Sequence, residues 1–103
     1  MRNFVFILLL VLLHAGCSMY VTSPTAEKVT LYLEQSEVPA KCEALGEVSA
    51  SVCANTTPCP DEVMKRDLRE KAFNEYAANA VLLSNRTLSG TNVIGYGIAY
   101  ACN

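Results

Sequence analysis

Val93-Ile94-Gly95-Tyr96-Gly97-Ile98-Ala99-Tyr100-Ala101-Cys102 decides the fold. Large residues at 94, 96, 98 and 100, followed by Cys102, alternate with Gly95, Gly97, Ala99 and Ala101. Alternation with a period of two is the mark of a β-strand. One face of this strand is bulky and the other is nearly bare. A bare face lets another backbone approach closely. The chain therefore needs an element to lie on that face, and a helix is the expected one.

Reading outward, Ser89-Gly90-Thr91-Asn92 is a turn, and residues 79–88, centred on Val81-Leu82-Leu83, form the other arm of a hairpin. Before that, Pro60-Asp61-Glu62 has the proline and acidic residues of a helix start. The helix should run to about Ala78, with Met64, Leu68, Ala72 and Tyr76 stepping by four along one stripe. Asp67 and Lys71 stand as an i,i+4 ion pair. Residues 42–52 are a further strand, with Ala44, Gly46, Val48, Ala50 and Val52 on one face. In residues 28–34, Val29, Leu31 and Leu33 alternate with polar partners, giving another strand. The expected architecture is α+β: a small antiparallel sheet in the order β-β-α-β-β, packed on one helix and stapled by two disulfides.

The first residues read as an address. Met1-Arg2-Asn3 carries one positive charge, and residues 4–13 are unbroken apolar. Ten apolar residues are too few to span a bilayer but suit a secretory signal. Leu13-His14-Ala15-Gly16-Cys17 resembles the lipobox of bacterial lipoproteins, in which the cysteine is lipidated and becomes the first residue. The expected division is a signal at 1–16, a lipidated tether at 17–27 and a globular domain at 28–103. Several acyl chains anchor stably where one does not. By the same resemblance, Ser18 after the cysteine permits export to the outer membrane, facing the periplasm.

Composition narrows the rest. The one histidine, His14, lies in the signal, so the mature chain has no imidazole for a triad, a Cys–His pair or a metal. Beyond residue 16 there are seven basic and ten acidic residues, a poor match for nucleic acid or anionic lipid. Cys42, Cys53, Cys59 and Cys102 remain after Cys17. An even number in a small exported domain suggests two disulfides, with three connectivities open. The expected pairs are Cys42–Cys102, since Cys42 opens one strand and Cys102 closes the last so that they could meet across a sheet, and Cys53–Cys59, bracketing a short loop. Their spacing fits no common zinc pattern, and no metal or other cofactor is expected.

Leu45-Gly46-Glu47-Val48-Ser49 before a cysteine, then Ala78-Asn79-Ala80-Val81-Leu82-Leu83, then Ser89-Gly90-Thr91, resemble the globular domain of the RcsF-like outer-membrane lipoproteins. The ending Gly97-Ile98-Ala99-Tyr100-Ala101-Cys102 is similar to small uncharacterised lipoproteins related to them. The resemblance covers residues 42–102. It implies a small sheet on one helix with two disulfides, and a non-enzymatic role: sensing envelope stress and relaying it by protein contact.

Three functions follow as expectations. The first is a lipid-anchored module that binds another envelope protein. The second is a small-ligand or glycan site built on Tyr32, Tyr96 and Tyr100. The third, a hydrolase, would need paired carboxylates such as Glu43 and Glu47, and no grouping of residues raises these above exposed strand charges, so no catalytic residue is assigned.

Overall fold

The computed structural model describes residues 23–103. The signal and Cys17 lie outside the described residues. The elements are α1 (Pro24–Glu27), β1 (Thr30–Tyr32), a 3-10 turn (Gln35–Glu37), β2 (Glu43–Cys53), α2 (Pro60–Tyr76), β3 (Ala80–Ser89) and β4 (Asn92–Ala101). The fold is α+β, one four-stranded sheet with one main helix, in the strand order β1-β3-β4-β2.

The expected hairpin is present: β3 and β4 pair antiparallel from Ala80↔Tyr100 to Ser89↔Asn92, around Gly90 in the left-handed region. β2 pairs antiparallel with the other side of β4. The all-antiparallel expectation needs correction, because β1 pairs parallel with β3, Thr30↔Ala80 to Tyr32↔Leu82. A parallel neighbour needs a long crossover. Here β2 and α2 together supply it.

The strand expected over 28–34 shortens to three residues. Val29 is buried and Leu31 packs against the core, but Leu33 is 55% exposed. The chain leaves the sheet there because the Glu37 carboxylate accepts from the N–H groups of Leu33 and Glu34, closing a capping box around the 3-10 turn. Residues 33–42 must then cross from one sheet edge to the other. On the way Val38 packs with Tyr32, Leu82 and Tyr100 in a small second core on the face away from α2.

Part of the expected tether is also ordered. Ser23 caps α1 by accepting from the Ala26 N–H at 3.0 Å, and Pro24 stands at the first helical position. Ala26 is buried, and α1 packs on α2.

The main core lies between α2 and the sheet. α2 starts at Pro60 with Asp61 and Glu62 in its first turn, and it contains no glycine or later proline. Its stripe of Met64, Leu68 and Ala72 is fully buried. A Cβ built on Gly95 would strike Met64, and one on Gly46 would strike the Tyr76 ring. At Gly97 it would lie 2.9 Å from the Leu82 carbonyl oxygen, 3.0 Å from Leu68 Cδ2 and 3.1 Å from Val81 Cγ2. Four helix residues advance about 6 Å, and two strand residues advance about 6.6 Å. The i,i+4 stripe and the i,i+2 small residues therefore stay in step. The helix sits close because the strand has no side chains to hold it away.

At the far end of the sheet Cys42 and Cys102 form a disulfide, tying the start of β2 to the end of β4. Closing a loop with a sequence separation of 60 corresponds to about 4 kcal/mol on a chain-entropy argument. Asn79 secures the same end. Its side-chain amide donates to the Cys102 carbonyl at 2.6 Å and accepts from the Cys102 N–H at 2.7 Å, while its backbone bonds to Thr30 and Tyr100.

Overpacking a core typically costs about 1–3 kcal/mol. Gly97 faces a backbone oxygen that cannot rotate away, so Gly97→Val should reach the upper end of that range or exceed it. For a domain of this size that is a fall in Tm of roughly 10 °C or more. Thermal unfolding followed by circular dichroism checks it, and a melting curve close to wild type would show that α2 does not rest on this strand.

Candidate interaction surface

The sheet has two unlike faces, and two bulges decide which residues reach each one. In β2, Val48↔Gly97, Ala50↔Gly95 and Val52↔Val93 face the helix. Glu47↔Ile98, Ser49↔Tyr96 and Ser51↔Ile94 face the other way. The register slips between Ala44 and Gly46, and a bulge reverses the parity of the residues on either side. Glu43 opposes Ala101 on the helix side, whereas Glu47 opposes Ile98 on the open side. The two carboxylates considered as a pair thus stand on opposite faces of the sheet. Ala44 likewise leaves the face it was expected to share with Gly46.

A second slip lies between Leu83 and Asn85 in β3. It turns Asn85 toward Tyr96 and brings Arg86 to the helix side. There the Arg86 guanidinium forms a two-point ion pair with Asp61 in the first turn of α2. Both side chains are well exposed, so the pair orients more than it stabilises.

The three tyrosines are separated. Tyr100 is 7% exposed and, with Tyr32, belongs to the second core. Tyr96 is 42% exposed on the uncovered half of the open face. They form no shared platform. Among the described residues, Leu33, Leu45, Leu88 and Tyr96 are the large apolar side chains left exposed.

A cleft of about 340 Å³ runs against β2, lined by Glu47, Val48, Ser49, Lys71, Glu75 and Tyr96. Its chemistry comes from one edge strand, one helix face and one exposed ring. Lys71 does not pair with Asp67 as the i,i+4 spacing suggests. Its ammonium donates to the Ser49 carbonyl at 2.6 Å, and Asp67 accepts instead from Arg66 at 3.0 Å. The Tyr76 hydroxyl donates to the Glu47 carbonyl at 3.2 Å. Two carbonyls on the outer edge of β2 are thus occupied by helix side chains. The sequence reading pairs Lys71 with Asp67 and puts Tyr76 in the packing stripe. Only the sheet order, which makes β2 an edge, shows their second role.

The cysteines need one further correction. Cys53 is a free thiol, so the expected Cys53–Cys59 bridge is not formed. The reason is geometric. Cys53 opposes Asn92, in the parity that points away from α2, while Cys59 packs against the helix-side core. Cys59 is engaged elsewhere, not with Cys53. Lipidation at Cys17 lies outside the described residues. Among those residues, no three histidine, cysteine, aspartate or glutamate side chains are grouped to hold a metal ion, and no helix is long and apolar enough to cross a membrane.

Hydrogen bonds hold the Cys53 thiol below its ordinary pKa, first from the Thr56 side chain, then from the Asn55 backbone and the Thr91 hydroxyl. The folded state thus favours the thiolate. No family model matches the chain, and neither does any curated protein.

The rate of Cys53 alkylation by iodoacetamide should therefore rise at lower pH in the folded protein than in the urea-unfolded chain. By linkage, the group's contribution to stability is complete above the unfolded-state pKa and is lost as pH falls through the folded one. Coincident folded and unfolded alkylation profiles would contradict the hydrogen-bond account.

Proposed function

We propose that this chain is an RcsF-like lipoprotein anchored through Cys17 to the periplasmic side of the outer membrane, where it binds another envelope protein and performs no catalysis of its own. The surface around Tyr96 carries this reading. A half-exposed aromatic ring borders a cleft on a rigid sheet held by a disulfide and a buried helix stripe. Tyrosine with an apolar body and a polar tip is a residue that interfaces favour. The separation of the three tyrosines favours a protein contact over a ligand or glycan platform. Envelope-stress sensing is the form of that contact which the family resemblance implies.

The anchor would work at short range. Because α1 is ordered from its Ser23 cap, the stretch from Cys17 to Ser23 spans at most about 20 Å. Such a module would meet its partners close to the bilayer surface.

Two measurements on cells test the proposal. Intact mass of the membrane-extracted protein should show a chain beginning at Cys17 with acyl groups on it. A retained Met1, or Cys17 held in a disulfide instead of a thioether, would overturn the anchor. A photo-crosslinking residue placed at Tyr96 should then capture an envelope protein. The same residue at Leu88, exposed but on the other face, should not. Equal capture from both positions, or none from Tyr96, would overturn the interaction reading.

A further inference from the structure

The sheet has two edges, and they are unlike. β1 is three residues long and so offers little to a neighbour. β2 is eleven residues long and borders the cleft. Backbone groups alternate along a strand: where one residue's N–H and C=O turn to the neighbouring strand, the next residue's turn away. The carbonyls of Glu47 and Ser49 accept from Tyr76 and Lys71 of α2, so the residues of that parity face outward. The N–H groups of Glu47, Ser49 and Ser51 point the same way. Among the described residues β2 pairs only with β4, so these donors have no strand partner there. A long strand edge with unpaired donors is a template for another strand, and proteins guard such edges, often with lysine. Lys71 and Tyr76 guard the acceptors of this one.

Resting on the interaction reading above and naming its partner class, we infer that the outer edge of β2 is a strand-addition site for an extended basic segment, held closed by Lys71 and Tyr76. An added strand would take the N–H groups of Glu47, Ser49 and Ser51 with its carbonyls. Its own N–H groups would displace Lys71 from Ser49 and Tyr76 from Glu47. Backbone pairing of this kind supplies affinity, and alternate side chains supply selectivity. On the open face those side chains would meet Glu47 and the Tyr96 ring, which both favour lysine or arginine. Beside the helix they would meet Glu75, and Lys71 once released lies four residues from Glu75, in position to pair with it. Two copies of this chain joined by the same edge would instead bring acidic residues of both together, so self-pairing is disfavoured.

The probes are peptides about eight residues long, one alternating lysine with valine and one alternating glutamate with valine. Binding is followed by amide hydrogen exchange and by fluorescence anisotropy on residues 17–103 with Cys17→Ser. The lysine peptide should slow exchange at Glu47, Ser49 and Ser51, and the glutamate peptide should not. Lys71→Ala should tighten binding about three- to tenfold, the worth of one hydrogen bond in competition. Ser49→Pro removes an outward donor where an edge strand tolerates proline, and should abolish binding while the melting curve shows the fold retained. Should Ser49→Pro not fold, the exchange pattern and the Lys71→Ala affinity decide. Absence of protection in Lys71→Ala, equal binding of the two peptides, unchanged binding by folded Ser49→Pro, or dimerisation of Lys71→Ala in sedimentation would each overturn the inference. If folded Ser49→Pro still yields the Tyr96 crosslink in cells, the interaction reading survives and the edge assignment falls.

Discussion

Four side chains of α2 rest on strand positions that carry almost none. Met64 lies over Gly95, Leu68 over Gly97, and Tyr76 over Gly46, with Ala72 buried between them in the same cluster. Burying a residue such as Leu68 contributes about 2–3 kcal/mol, so this contact is a large share of a small domain's stability. It also sets positions elsewhere. With the helix this close, Tyr76 and Lys71 reach past the core to the outer edge of β2. A bulkier strand would lift the helix and leave that edge open. The same helix brings its first turn to Arg86 and packs against α1.

The parts of the fold governed by side-chain size were legible in the sequence. The alternation of β4, the i,i+4 stripe of α2 and the turn at Ser89–Asn92 each predict an element and its facing, because burial acts on them locally. What was not legible depends on pairings between distant segments. Nothing in Thr30-Leu31-Tyr32 says that its neighbour is β3 rather than β2. The bulges at Ala44/Gly46 and Leu83/Asn85 leave no compositional mark, yet they send Glu43 and Glu47 to opposite faces and turn Arg86 toward α2. The Cys53–Cys59 expectation failed for the same reason: closeness in sequence does not outweigh the parity of a strand. Ser23-Pro24 carries a helix-start signal, but the polar stretch around it has no periodicity to mark a helix.

The candidate surface was partly legible. Tyr96 was singled out with Tyr32 and Tyr100, but the crossover of residues 33–42 buries Tyr100 and shields Tyr32 while leaving Tyr96 exposed. The cleft along β2 could not be read, because it exists only where the sheet ends. Its carboxylates, its one lysine and its backbone donors belong to elements far apart in the chain.

The docking of α2 on a strand without side chains is tested most directly by a double-mutant cycle on Gly95→Ala and Met64→Ala. The three atoms nearest to a methyl added at Gly95 all belong to Met64. Removing the Met64 side chain should therefore make room for it. The double variant should be more stable than the sum of the two single losses by about 1 kcal/mol, measured by urea unfolding. Additive losses would place Met64 away from Gly95 and contradict the account.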